Sequence, residues 1–403
     1  MSTPPRCLLV ASAGGTRAGG AIFGILRMLP PMDLFYTASG STPVVLSEAA
    51  GAKGIIRTLA PSEISRTLST ITNPLGSSFL RIAPFAEHVV GNLPPDIRST
   101  KDLPRLKITA ALVNATFFEG LDGKPAYYVV LDSDTDMPLV KALAATCACP
   151  PVQSIPIENQ TLTLIVDDGN GNKEYKKVHV REGLLLDPGM IEKIPITPAL
   201  LDAKEGDVIF VMNLGNIRVN DKRIINLCEG IVKNEYFEKL ARVFPPFAYL
   251  KFILLDLINS HHFDLEVFKQ QALDRNIAFI EVSINNRKKT KQLNLQTLVT
   301  AITALASALK TLQELNKRKD EKGTIGKILN PGVIIPAVTA LTAGYKVIKE
   351  VMSVLDDTSF DRRSVFDHNA IMPALNAGIA AASRALEDFQ NILETRELSG
   401  DET

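Results

Sequence analysis

With 403 residues, 46% of them apolar, and 44 basic against 44 acidic side chains, the chain can bury a large core and carries no net field to recruit nucleic acid or an anionic surface. Four cysteines in so long a chain (Cys7, Cys147, Cys149, Cys228) make no disulfide framework, and no histidine stands at zinc spacing from them. A reducing, cytoplasmic setting and no metal or other cofactor are therefore expected, with contact at a membrane limited to the periphery.

Cys7-Leu8-Leu9-Val10-Ala11 reads as the first strand; as an apolar run it is too short for a secretory core. Ser12-Ala13-Gly14-Gly15-Thr16-Arg17-Ala18-Gly19-Gly20 follows, and then a helix carrying Ile22, Ile25, Leu26 and Leu29. A glycine-rich turn after a strand exposes consecutive amides that suit an anion. A dinucleotide is one occupant, but the glycines do not keep the G-x-G-x-x-G spacing and no acidic ribose ligand closes a second strand. The other is the oxyanion of an acyl-transfer intermediate. Leu34 to Ala38 is a second buried strand that breaks at Ser39-Gly40-Ser41, and a helix starts at Thr42 with Pro43 in its first turn, where no intrahelical donor is needed. Ser39 thus sits on a tight strand-to-helix turn, as a nucleophile would; a plain helix cap is the alternative.

From Gly51 to Leu106 prolines punctuate short apolar helices, a composition that suits a lid over a cleft. Lys107 to Asn114 alternates as a strand, with Ala126 to Leu131 as its hairpin partner. A helix over 138–147 is stopped by Pro150 and Pro151, and Cys147 and Cys149 read as small core residues at its end. Thr161 to Val166 and Glu174 to Leu186 flank the turn Asp167-Asp168-Gly169-Asn170-Gly171-Asn172. The second of these strands delivers Leu184-Leu185-Leu186-Asp187-Pro188-Gly189, in which an acid following three leucines needs hydrogen-bond partners if it is buried. An Asx turn is the simpler reading. Val208 to Gly215 is a near-continuous apolar strand ending at glycine, as parallel strands buried on both faces often are, and Ile277 to Val282 is the last strand.

The aromatic stretch Phe244 to Leu255 reads as core packing, with lipid contact as its alternative. Past Arg287-Lys288-Lys289 the chain turns helical: Leu295, Leu298, Ile302, Leu305, Leu309 and Leu312 share one face, and Lys317 to Lys322 reads as a solvated connection. Two further helices are expected near 333–355 and 370–393. The apolar stretch Val333 to Ile348 is broken by Pro336, Gly344 and Lys346 and falls short of a spanning helix. A division into residues 1–290 and a helical region 291–403, packed on or beside the first, follows.

Taken together, Gly14-Gly15-Thr16-Arg17, Thr37-Ala38-Ser39-Gly40-Ser41 and Asp187-Pro188-Gly189 resemble, in type and order, the oxyanion loop, the serine elbow and the acid motif of the patatin-like phospholipases. Ala144 to Pro150, Pro195 and Asn213-Leu214-Gly215 support the likeness, which spans roughly residues 7 to 283. The chain departs from the pattern at Thr37 and Ser41, where glycines are usual, at Pro188, at Ala13 and Ala18, and at Lys193 in place of asparagine. A β-branched residue at 37 is expected to crowd the turn.

The resemblance implies an α/β, three-layer patatin-like fold with a mostly parallel central sheet plus C-terminal helices. It implies a lipid acyl hydrolase acting on a phospholipid or other acyl ester. In that enzyme Ser39 attacks, Asp187 is the base, and Gly14, Gly15, Thr16 and Arg17 form the oxyanion hole, with Arg17 orienting the loop. None of the five histidines (His88, His179, His261, His262, His368) sits in a motif, so a Ser-His-Asp triad is the weaker enzymatic expectation. The alternative from another class is an inactive patatin-fold binding module acting through its C-terminal helices.

Overall fold

The computed structural model of the chain describes residues 5–52, 82–118, 124, 126–149, 154–169, 172–214, 222–243, 245–284, 295–317, 335–349 apart from 337, 341 and 348, and 371–400. Most of the expected lid segment (53–81), the charged run after Lys317, the end of the helix expected to reach 355, and His368 lie outside these residues. The strands are β1 (Cys7–Ala11), β2 (Leu34–Thr37), β3 (Leu106–Phe117), β4 (Ala126–Leu131), β5 (Ile155–Asp167), β6 (Lys173–Leu186), β7 (Val208–Asn213) and β8 (Ala278–Ser283). The helices are α1 (Gly15–Leu26), α2 (Thr42–Ala49), α3 (Ala83–Gly91), α4 (Leu139–Thr146), α5 (Ile196–Asp202), α6 (Lys222–Val232), α7 (Glu235–Val243), α8 (Pro245–His262), α9 (Leu265–Leu273), α10 (Leu295–Lys317) and α11 (Ile371–Gly400).

The fold is α/β around one mixed sheet of eight strands. Strands β3-β2-β1-β7-β8 run parallel, and β4, β5 and β6 are antiparallel, with β4 pairing to β3 as well as to β5. The parallel strands are buried on both faces, so they lack alternation: all five residues of β1 are buried, and β7 is buried from Val208 to Met212. Leu9, Phe35, Phe210 and Met212 join α1 and α11 in one cluster, whereas Leu8, Val10, Tyr36, Ile209 and Val211 join α5 and α9 in another. Helices therefore cover both faces of the sheet.

Where α1 meets α11, the helices approach so closely that a Cβ on Gly20, Gly24 or Gly378 would overlap the backbone of the facing helix. A separate apolar cluster joins α6, α7, α8 and α10 with Ala340, Ala343 and Val347. The α8 residues Phe247, Leu250, Ile253, Leu254 and Leu257 lie in it, so this aromatic stretch packs as core. No described helix is long and apolar enough to cross a membrane.

One feature of the sheet decides where chemistry can occur. Along one edge β3 pairs continuously with β4, from Ile108 to Val113. Its other edge is shared end to end: β2 pairs with Leu106 to Ile108 and β6 with Ala111 to Phe117. Because β2 runs parallel to β3 and β6 antiparallel, their C-terminal ends point at each other across a gap of two β3 residues. The chain leaves β2 toward Ser39 and leaves β6 toward Asp187, so two residues far apart in sequence are delivered to one place.

Candidate active site

The elbow is built on hydroxyls where glycines were the expected turn formers. Thr37 closes β2 with ordinary strand pairing, and its Oγ1 lies 2.9 Å from Ser41 Oγ and 3.1 Å from Thr42 Oγ1. Ser41 Oγ lies within hydrogen-bond reach of the carbonyls of Ala38 (2.9 Å) and Ala11 (3.2 Å), tying the elbow to the end of β1. Thr37 itself is held from the side by Thr109, whose hydroxyl donates to the Thr37 carbonyl at 3.0 Å. The expected crowding at Thr37 does not arise, because residue 37 still belongs to the strand. The turn falls two residues later, where Ser39 has φ +52°, the left-handed region a serine seldom adopts.

The backbone of Ser39 is gripped by the end of α4. Its N–H donates to Thr146 Oγ1 at 2.8 Å, and the Cys147 thiol donates to its carbonyl at 3.4 Å. The next residue serves the other half of the site, since the Asp187 N–H donates to the Ala148 carbonyl at 3.3 Å. Residues 146–148 therefore bridge elbow and acid, a role that small-residue composition did not disclose.

Asp187 is 3% exposed and Ser39 9%. The Gly189 amide donates to the carboxylate at 2.9 Å, and the Ser39 hydroxyl lies close enough to it to favour its charged form. Pro188 fits this turn because it occupies the first position of the short 3-10 helix Pro188–Met190, where an N–H has no helical acceptor. Burial nonetheless dominates and pushes the Asp187 carboxyl up to about 6; the nearby Ser39 hydroxyl, the Gly189 amide and the charge of Lys193 pull it down, and Asp256 pushes it up. At neutral pH the group is an ionised base in a dry place.

The glycine-rich loop meets the elbow by backbone approach. Helix α1 begins at Gly15, whose φ of +58° suits glycine, and the amides of Gly15 and Thr16 lie at the helix start, where an amide has no intrahelical acceptor. A Cβ on Gly40 would overlap the Gly15 carbonyl, so only glycine after Ser39 lets this loop sit against the nucleophile turn. Arg17 is turned away toward the sheet: it donates from Nη2 to the Leu214 carbonyl at 3.1 Å, and burial lowers its guanidinium to about 10. That anchors the loop to the end of β7.

The four described histidines are placed elsewhere. His179 Nδ1 lies 3.1 Å from Thr161 Oγ1 on the β5–β6 hairpin, His262 faces Glu229 at 3.8 Å, His261 precedes it at the end of α8, and His88 is on α3. Among the described residues no cluster of three or more His, Cys, Asp or Glu could hold a metal ion. Half-buried Cys147 and Cys149 beside the acid are held well above the usual thiol range by desolvation, then by the charge of Asp187.

Around this arrangement Met190, Ile191, Phe252 and Leu255 form an apolar wall with Ala111 and Val113 of β3. No protein-family model matches the chain, and no curated protein does.

Proposed function

We propose that the protein is a serine-dependent lipid acyl hydrolase of patatin-like architecture, working through a Ser39–Asp187 dyad. The observation that carries the reading is a buried serine in a left-handed turn, close to a buried carboxylate and flanked by a glycine loop that only Gly40 admits. A mere helix cap needs none of these three. In the proposed reaction Ser39 Oγ attacks the ester carbonyl as its proton passes to Asp187. The oxyanion is held by amides at the start of α1, each worth on the order of 100- to 1000-fold in rate. Collapse returns that proton to the leaving alcohol. Water then attacks the acyl-Ser39 ester, Asp187 takes the water's proton and gives it to Ser39, and the carboxylic acid departs.

The apolar wall beside Asp187 favours an acyl chain over a polar acyl group. Peripheral contact with a lipid surface belongs to the same proposal: Ile335, Val338 and Tyr345 are exposed beside exposed Lys346 and Lys349. The test is labelling with a fluorophosphonate, together with hydrolysis of a panel of phospholipids and p-nitrophenyl esters. Labelling at Ser39, and turnover that falls by at least about 10⁴-fold in Ser39→Ala, are expected. A wild-type protein that neither labels nor turns over any ester overturns the reading in favour of a binding module.

A further inference from the structure

Lys193 lies six residues beyond the acid and touches two other parts of the molecule. Its backbone carbonyl accepts the Ala13 N–H at 2.8 Å, which holds the residue just before Gly14-Gly15. Its ammonium lies 2.6 Å from Asp256 on α8, with side-chain exposures of 28% and 14%, so the pair is largely shielded from water. One turn further along α8, Asn259 donates to the Met190 carbonyl, giving the helix a second grip on the segment that follows Asp187. The opposite face of α8, through Leu250, Ile253, Leu254 and Leu257, is locked into the cluster shared with α6, α7 and α10. Through Asp256 and Asn259, α8 thus joins the helical cluster to the acid loop.

Resting on the hydrolase reading above, we propose that Lys193 and Asp256 are positioning residues of the dyad. Together they hold the glycine loop, the acid loop and α8 in one register and set the balance of charge that Asp187 meets. The groups facing Asp187 are few. Ser39 faces it from the elbow, Cys147 and Cys149 face it from the end of α4 as protonated thiols, Lys193 attracts its charge, and Asp256 repels it. Tyr249 on α8 stands near Cys149 and Asp256, and burial pushes its phenol up to about 12, so it is uncharged. Lys193 and Asp256 thus act on the base with opposite signs while bonded to each other, and neither can be removed without unbalancing the other.

The opposite signs supply the test. In the full-length protein, with aspartate side chains labelled at Cγ, carbon NMR follows the Asp187 carboxyl, assigned by the resonance that Asp187→Asn removes. Lys193→Gln is expected to move its titration midpoint up and Asp256→Asn to move it down, each by roughly half a pH unit or more, with the double variant returning toward wild type. The acid limb of p-nitrophenyl butyrate hydrolysis should follow the same directions. In both variants kcat should fall about tenfold to a hundredfold with little change in KM, as misplacement of a catalytic group does. Lys193→Arg and Asp256→Glu, which keep the charges, should recover most of the loss.

Midpoints that stay put, or that move in the same direction in the two variants, overturn the proposal. Should Lys193→Gln fail to fold, Lys193→Met keeps the buried stem and enters the same titration. The two readings also fail separately. Opposite shifts in a protein without esterase activity sink the hydrolase and leave the pair standing, whereas unmoved midpoints in an active enzyme sink the pair alone.

Discussion

Two kinds of left-handed backbone occur among the described non-glycine residues. Asn114 and Asn159 stand at breaks in the pairing of β3 and β5, Asp136 and Asn276 in connections; all four are exposed, and their short polar side chains are of the type that tolerates this conformation. Ser39 shares their φ but neither their side-chain type nor their exposure. At these four sites the residue suits the backbone. At the elbow the backbone is imposed on the residue by bonds from Thr146, Cys147 and the Thr37–Ser41 pair, and holding a serine there costs about 1–3 kcal/mol. A strained, buried and over-determined hydroxyl beside a carboxylate is what separates a candidate nucleophile from a turn.

Breaking that contrast most severely requires one added methyl. Gly40→Ala would drive a Cβ into the Gly15 carbonyl and push the glycine loop off the elbow. We expect ester hydrolysis and fluorophosphonate labelling to fall on the order of 100- to 1000-fold, the worth of a displaced oxyanion donor. Asn276→Gly, at one of the exposed turns, should leave both unchanged. An active Gly40→Ala enzyme would mean that the loop takes no part in the chemistry.

The second difference is electrostatic, because the carboxyl beside Ser39 is buried. The folded protein raises Asp187 from 3.8 to about 6, so the base loses its proton only as pH passes that value, and hydrolysis should climb between about pH 5 and 7 and then level off. The sign for stability is the reverse of the usual carboxylate. The folded state binds this proton more tightly than the unfolded chain, so the group's contribution falls as pH rises from about 4 to 6. Asp187→Asn should therefore be inactive yet more stable than wild type at pH 8, by about 1–3 kcal/mol in denaturant melts, with the two converging below about pH 4. An Asn variant less stable than wild type at pH 8 would show that the carboxylate is better solvated than its burial implies.

Much of this was legible in the residues, but unevenly. The apolar runs that became β1, β2 and β7, and the hairpins β3–β4 and β5–β6, announce themselves by composition and by turn residues at the right spacing. Ser39, Gly14, Gly15 and Asp187 were nameable as candidates because their local chemistry is unusual. What brings them together was not. The meeting of β2 and β6 on one edge of β3 is a matter of long-range pairing, which no local pattern encodes.

Thr146 and Lys193 likewise look ordinary until the fold places them. Helices α5, α6, α7 and α9 went unread, although two of them carry a start signal: Asn234 accepts from the amides of Tyr236 and Phe237 ahead of α7, and Asp264 accepts from Glu266 at the start of α9. The expected crowding at Thr37 misplaced the strain by two residues: Thr37 belongs to the strand that the apolar run marks, and the left-handed residue is Ser39.

The smallest expected effect tests the strain itself. If the elbow is imposed on Ser39, replacing it with glycine removes the clash that a Cβ suffers at φ +52°, which is worth about 1–2 kcal/mol per residue. The greater freedom of glycine in the unfolded chain returns roughly half of that. Ser39→Gly should therefore be more stable than wild type by roughly 0.5–1 kcal/mol, while its hydrolysis falls to that of Ser39→Ala. At Asn114 the same replacement removes a residue already suited to the left-handed region, leaving only the entropic loss, so Asn114→Gly should be neutral or slightly destabilised. Paired denaturant melts at one pH decide the matter: equal shifts at the two sites would mean that Ser39 rests in its turn as comfortably as Asn114 does, and that the bonds around it record packing and no stored strain.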